Sequence, residues 1–294
     1  MGVILGLIGA VCWGVADFAA RFASRRVGAY RTLFYMQFFG FIVLTAYLFS
    51  LGGISRGVAP GWHPWALAVV AGLLNMTASL SLYYSFQIGV MTIVAPVSSS
   101  YPALTVMLAL LSGERLPPVR AAGLVVTLLG VILAATSFTS HSADSTEGSK
   151  TPHRAHLSKG VGWAIFAAII FGVLFWFLGF HVVPLVGSTV SVWVIRLTSF
   201  STLLLAAAPA RQTIRLPRGS VWWLLAAVGF MDTAAFVANN AGLHTGQISI
   251  VSVLASLYGA VTVLLSWIFL RERLERSQWL GIVLIFAGIV LVSL

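Results

Sequence analysis

The sequence predicts an all-α integral membrane fold, with ten transmembrane helices in two inverted five-helix repeats around a central cavity. Three observations carry that prediction. Of the 294 residues, 59% are hydrophobic and only 8% charged, with a mean hydropathy of +0.99, so the chain cannot present an ordinary water-facing surface. Apolar stretches long enough to cross about 30 Å as helix recur along its length. The second half also repeats the first: Glu114-Arg115-Leu116 falls on Glu272-Arg273-Leu274 at an offset of 158, which also carries Gly123 onto Gly281 and Gly130 onto Gly288. Upstream the offset is 157, and Ser99, Tyr101 and Thr105 meet Ser256, Tyr258 and Thr262. A fixed period built of apolar segments is the mark of duplicated membrane halves.

The ten expected spans lie at roughly 2–22, 29–50, 63–86, 91–112, 118–138, 158–180, 187–208, 220–243, 247–269 and 276–294. The first lacks a basic leader and reads as a retained span. Its Gly2, Gly6 and Gly9 let a neighbouring backbone approach, and Cys12, the one cysteine, excludes an intrachain disulfide. Pro96 and Pro102 interrupt the fourth span. The fifth and tenth carry their paired glycines seven residues apart. Three units follow: 1–138 as the first five-helix repeat, 139–159 as a polar linker and 160–294 as the second repeat. Five spans per half is an odd number, so the second copy enters from the opposite side and the repeats are inverted.

The +10 charge suggests nucleic acid only until its distribution is read. Basic residues are scattered at span ends and form no long run. Thirteen sit in the odd connectors, among them Arg21, Arg25, Arg26 and Arg31 in the first, against Arg56, Arg115 and Arg120 in the even ones. The positive-inside rule then places odd connectors in the cytoplasm and both termini outside. Trp62, Trp65, Trp163, Trp222, Trp223 and Trp279, near span starts, read as an interfacial belt, with Trp163 the one expected to face a cavity.

Glu114, Glu272 and Glu275 lie in short turns beside arginines and read as structural pairs; Asp144 and Glu147 lie in the linker. Asp17 has Arg21 one turn later, which accounts for it as an interfacial ion pair. Asp232 falls near mid-bilayer, where a carboxylate needs a partner, water or a proton. Arg196 is equally deep, and either pairs with a carboxylate or binds an anionic substrate group.

Polar stripes say more than single charges. Asn75, Ser79 and Tyr83 recur every four residues on the third span, and Asp232, Phe236 and Asn239-Asn240 answer on the eighth. Together with Ser99, Tyr101 and Trp163 these outline a polar, aromatic cavity. The expected substrate-binding residues are Asn75, Ser79, Tyr83, Ser99, Tyr101, Trp163, Asp232 and Asn239. No zinc-protease, Walker, nucleophile-elbow or paired-cysteine motif occurs, so no catalytic residue, metal or cofactor is expected, and an intramembrane lipid-modifying enzyme finds no constellation to support it.

Trp13-Gly14 in the first span, and Gly113-Glu114-Arg115-Leu116 closing the fourth, resemble the drug/metabolite transporter superfamily in its ten-helix EamA-type branch. In the second copy Phe171-Gly172 replaces Trp-Gly and Arg271 replaces the first Gly of the turn. The resemblance implies a basket of helices whose cavity is lined by the first, third, fourth, sixth, eighth and ninth spans, with the fifth and tenth outside. It further implies a secondary transporter exporting small metabolites, amino acids including aromatic ones, by uniport or proton-linked exchange. Export of cationic compounds is the alternative. Small four-helix relatives use a glutamate in their first helix for protons, and this first span has none. Relatives are usually drawn with both termini in the cytoplasm, against the charge tally. The expected partners are a small-molecule substrate and the lipid bilayer, with no nucleic acid; a monomer in a bacterial inner membrane is the expected form.

Overall fold

The computed structural model describes residues 1–50, 61–136, 160–217 and 219–270, with eight helical positions between 280 and 291. Among these residues all regular structure is helical: α1 (Gly2–Val27), α2 (Ala29–Ser50), α3 (His63–Ile88), α4 (Met91–Ser98), α5 (Pro102–Leu111), α6 (Pro118–Thr136), α7 (Val161–Phe177), α8 (Val183–Val186), α9 (Ser188–Ala206), α10 (Ser220–Leu243), α11 (Ile248–Ala255) and α12 (Tyr258–Leu270). A π-helical turn, Leu178–Val182, joins α7 to α8 in one continuous span. Eight spans are long and apolar enough to cross a membrane, and Pro118–Gly130 of α6 is a shorter apolar helix. The expected ten are therefore not all reached among the described residues. The linker 139–159, the triplet Glu272-Arg273-Leu274 and Trp279 lie outside them.

The first helix of each repeat ends at a single glycine. Gly28 has φ 89 and ψ 153, Gly187 has φ 83 and ψ 161, and each donates its N–H to the carbonyl four residues back. Only glycine adopts that backbone without strain. The chain reverses within one residue, so Arg21, Arg25 and Arg26, expected in a connector, belong to α1, and Arg31 belongs to α2.

The two repeats exchange their first helices. α1 packs chiefly on α10, α12 and α11 of the second repeat, and α7 packs chiefly on α3, α5 and α4 of the first. Small residues bring these backbones together. A Cβ on Gly14 would lie 2.5 Å from Val261 and 3.1 Å from the Tyr258 carbonyl; one on Gly172 would lie 2.8 Å from Leu104 and 3.0 Å from the Tyr101 carbonyl. The Thr262 hydroxyl donates to the Gly14 carbonyl at 3.2 Å, and Thr105 to the Gly172 carbonyl at 2.9 Å. Each pair of contacts maps onto the other at the repeat offsets. Gly288 meets Gly123 and Thr127 too closely to carry a Cβ, which joins the last span to α6.

The fourth and ninth spans break at equivalent places, between α4 and α5 and between α11 and α12. Pro102 starts α5, but the second break contains no proline. Serines share the work. Ser98, Ser99 and Ser100 donate to carbonyls three residues back, and Ser256 does the same to Val253. Such back-bonding competes with the helix ladder.

Among the described residues, the first, third and seventh connectors gather at one end, with Gly160 beside them. Arg31 donates to the Thr213 carbonyl at 2.6 Å and to its hydroxyl at 2.5 Å, Arg25 donates to the Gly89 carbonyl at 2.9 Å, and Gly160 abuts Ser85 and Gly89. At the other end Glu114 receives the Ser249 N–H at 3.1 Å and its hydroxyl at 2.7 Å. Expected to pair with an arginine, Glu114 instead caps the start of α11, where the exposed N–H groups favour a carboxylate. Partial burial raises its carboxyl pKa above the ordinary range, with the Ser249 bonds opposing that shift.

Two outcomes follow for stability. Gly28→Ala forces a side chain into backbone space that costs about 1–3 kcal/mol; a lowered thermal unfolding midpoint in detergent checks it, with Gly162→Ala, where no atom lies within 4 Å of the new Cβ, as the neutral comparison. Glu114→Ala leaves the start of α11 uncapped, at a cost of about 1–2 kcal/mol, and faster hydrogen exchange at Ser249 and its neighbours is the measurement.

Candidate functional site

A central cavity with an empty volume of about 400 Å³ lies where the exchanged helices meet the broken spans. Only about 30 Å³ of it has room for the centre of a water-sized molecule, so the cavity is tightly closed in this conformation and a metabolite needs its walls to part. Its walls come from the first, third, fourth, sixth, eighth and ninth spans, the set implied by the resemblance. Helical spacing brings side chains in pairs one turn apart: Trp13 with Asp17 on α1, Ser79 with Tyr83 on α3, Phe171 with Phe175 on α7, and Asp232 with Phe236 on α10. Tyr101 and Tyr258 enter from the two helix breaks.

These residues map onto one another. Trp13 and Asp17 correspond to Phe171 and Phe175 at offset 158, while Ser79 corresponds to Phe236 and Tyr101 to Tyr258 at offset 157. The cavity therefore sits on the pseudo-twofold axis, and the tyrosines confirm it geometrically. Their rings stack across the axis, 6.4 Å apart and 15° from parallel. The Tyr101 hydroxyl donates to the Ser252 carbonyl of α11 at 3.1 Å. The Tyr258 hydroxyl donates to Ser98 Oγ at 3.0 Å, and Ser98 donates to the Ala95 carbonyl at 2.9 Å. Ala95 is the counterpart of Ser252, so the second contact is the first with one serine hydroxyl inserted.

Charge breaks the symmetry. Asp232 Oδ2 accepts Arg196 Nη2 at 2.5 Å, and its Oδ1 accepts the Trp13 indole N–H at 3.1 Å. Arg196 is fully buried; its Nη1 donates to Gln37 Oε1 at 2.9 Å and reaches Met36 Sδ at 3.3 Å, and its guanidinium lies 5.0 Å from the Phe236 ring centre. Arg196 is absent from the wall and Asp232 is on it, so the pair presents its carboxylate to the cavity and keeps its guanidinium behind. Of the two roles open to Arg196, the structure gives it the carboxylate partner. Asp17 and Arg21, expected at the interface, are both buried, and Asp17 lines the cavity. Both wall carboxylates thus belong to the α1–α10 side. The α3–α7 side supplies Phe171, Phe175, Ser79 and Tyr83, and the buried Tyr83 hydroxyl has no hydrogen-bond partner.

Four expected binding residues, Ser79, Tyr83, Tyr101 and Asp232, reach this cavity. Asn75 lies one turn beyond Ser79 and Asn239 one turn beyond Phe236; both are fully buried off the wall, with no partner for either amide atom. Ser99 bonds to the Pro96 carbonyl and packs against Gly259, which makes it part of a helix crossing. Trp163 is 47% exposed and edge-on to Tyr84 in a separate groove. It precedes Phe171 by eight residues, about 12 Å along the helix axis, too far to reach the centre. Missed from the expected set were Trp13, Asp17, Phe171, Phe175, Phe236 and Tyr258. The repeat offset would have found them: applied to Tyr101 it returns Tyr258, and to Ser79 it returns Phe236.

The EamA-like transporter family model matches residues 1–136 and 158–294. An uncharacterized protein of Methanocaldococcus jannaschii is 30% identical over 136 residues, which is 46% of this chain and 96% of that protein. That relative is about one repeat long. A solved crystal structure is similar in fold over 99% of this chain and 96% of its own, with a TM-score of 0.73 and 20% identity. Matched over both halves, the chain belongs to the EamA-like transporter family, whose members move small molecules across membranes.

Proposed function

We propose that this protein exports small metabolites bearing an amino group and an aromatic or apolar side chain, amino acids among them, across the inner membrane by alternating access. The observation that carries the reading is the division of the cavity. The α1–α10 wall, with Asp17 and Asp232, suits an ammonium group; the α7 wall, with Phe171 and Phe175, suits a ring. Ser79 and the unpartnered Tyr83 hydroxyl supply hydrogen bonds for a carboxylate or other polar group. The residues proposed to touch substrate are Trp13, Asp17, Ser79, Tyr83, Tyr101, Phe175 and Asp232.

Alternating access needs two arrangements of similar energy. The paired tyrosine contacts offer equivalent closures, one from each repeat, and either can release as its broken span tilts. Transport without an ion gradient would make the protein a uniporter; uphill movement driven by a pH gradient would make it proton-linked.

Proteoliposomes loaded with unlabelled phenylalanine and given labelled phenylalanine outside are expected to show transient accumulation severalfold above empty vesicles, with no ion gradient. Folded protein that gives no accumulation with phenylalanine, tyrosine or leucine overturns the amino-acid reading. Cells overproducing the protein should resist toxic phenylalanine analogues if the net flux is outward.

The buried pair yields a separate test. Arg196→Met leaves Asp232 facing Phe236 without its cation, a loss of about 3–5 kcal/mol, whereas Arg196→Met combined with Asp232→Leu should recover most of that stability. The double variant still lacks the wall carboxylate, and counterflow is expected to fall at least tenfold.

A further inference from the structure

Away from the central cavity, two open grooves meet at the corner Val27-Gly28-Ala29. The first, about 600 Å³, runs between α3 and α7 and is lined by Met76, Leu80, Tyr84, Trp163 and Phe166, with Gln87 and Gln212 also on its wall. The second, about 650 Å³, shares Val27 with the first and is lined by Arg31, Tyr35 and Arg215. Neither is lined by an acidic residue. The exposed Arg25 and Arg26 precede the same corner.

The two chemistries are segregated as in one kind of molecule. Tyr84 and Trp163 sit edge to face at 5.3 Å, and Trp163 and Phe166 at 6.5 Å, leaving a long apolar trough with half-exposed aromatic walls. The arginines lie at the end of that trough, on the face where the first, third and seventh connectors gather. Arg31 uses Nε and Nη2 on Thr213, which leaves Nη1 and the Arg215 guanidinium free of hydrogen bonds among the described residues. We infer that this corner binds an anionic phospholipid, its acyl chain in the α3–α7 trough and its phosphate between Arg31 and Arg215. A zwitterionic lipid would gain the same apolar contact, but its ammonium would offset the attraction of the phosphate. The charge tally assigns this face to the cytoplasm, where the surface potential of anionic lipids acts. The occupant touches α2 and α3 of the first repeat as well as α7 and the α9–α10 connector of the second. The site is independent of what the central cavity carries.

The test uses the full chain in detergent, with thermal stability and native mass spectrometry as readouts. Phosphatidylglycerol, phosphatidylcholine with the same acyl chains and water-soluble glycerol phosphate are compared. Each arginine near an anionic headgroup contributes about a fivefold preference, so two predict phosphatidylglycerol binding about 25-fold tighter than phosphatidylcholine. The preference should shrink as salt rises. Arg31→Gln with Arg215→Gln should remove most of it, and Trp163→Ala should weaken both lipids equally. Equal binding of the two lipids by the unaltered protein overturns the proposal without recourse to any variant. Stabilisation by glycerol phosphate as large as that by phosphatidylglycerol overturns it in favour of a free-anion site. Full retention of the preference in the double arginine variant also overturns it, since the phosphate would then be held elsewhere.

Discussion

Inside a bilayer a backbone polar group without a partner costs several kcal/mol, and this architecture depends on how that cost is met at its two broken spans. The breaks between α4 and α5 and between α11 and α12 lie at the centre of the molecule, where the chain abandons regular helix pairing. Each is closed from the other repeat. Tyr101 reaches the Ser252 carbonyl, Tyr258 reaches Ala95 through Ser98, and Thr105 and Thr262 hold carbonyls of α7 and α1. Within each repeat, serine back-bonds and turn N–H groups meet part of the cost, and the other repeat adds the rest. The exchange of first helices brings the carbonyls of Gly172 and Gly14 within reach of the opposite threonines. Glycine at those two positions leaves room for that approach.

A second cost is charge. Arg196 is fully buried, and the attraction of Asp232 alone does not repay desolvation of both ions. Gln37, Met36, the indole of Trp13 and the face of Phe236 complete the shell. Four spans are thereby tied to one ion pair: α1, α2, α9 and α10. An apolar pair of similar volume would hold those helices at no such cost, and stability alone does not account for the carboxylate on the cavity wall. Its position there is the reason to read the pair as part of the site, with Arg196 orienting Asp232.

How much of this could be read beforehand differs by feature. The duplication and the deep positions of Asp232 and Arg196 follow from spacing and hydropathy, which act locally. The partners of those residues do not, because Trp13 and Gln37 meet them across distances set only when four helices pack. Trp163 misled for a related reason: an indole near a span start reads the same whether its helix turns that face to a cavity or to lipid. Arg21 within the same helix accounts for Asp17 at an interface, yet both residues are buried in the interior. Phe171 and Phe175 were hidden in a helix that is apolar all round, where periodicity carries no signal. The single-residue corners at Gly28 and Gly187 needed dihedral angles to be recognised as equivalent, since the chain between them and the later repeat marks slips register.

The pseudo-twofold axis also constrains what the asymmetry means. A symmetric cavity would bind a ligand in two opposite orientations with equal affinity, and neither opening would distinguish its ends. Here the symmetry is kept at the contacts between the repeats, at Tyr101 and Tyr258, Thr105 and Thr262, Gly14 and Gly172. It is abandoned where a ligand would be read. Asp17 stands against Phe175, and Asp232 against Asn75. Both departures put charge on one side of the axis. In the proposed cycle a ligand with a cationic end and an aromatic end would keep one preferred orientation, provided the charged side travels with α1 and α10, which pack together more extensively than any other pair of helices among the described residues. In the proposed transport cycle the duplicated backbone would supply the motion, and a few unduplicated side chains the direction in which the cargo lies.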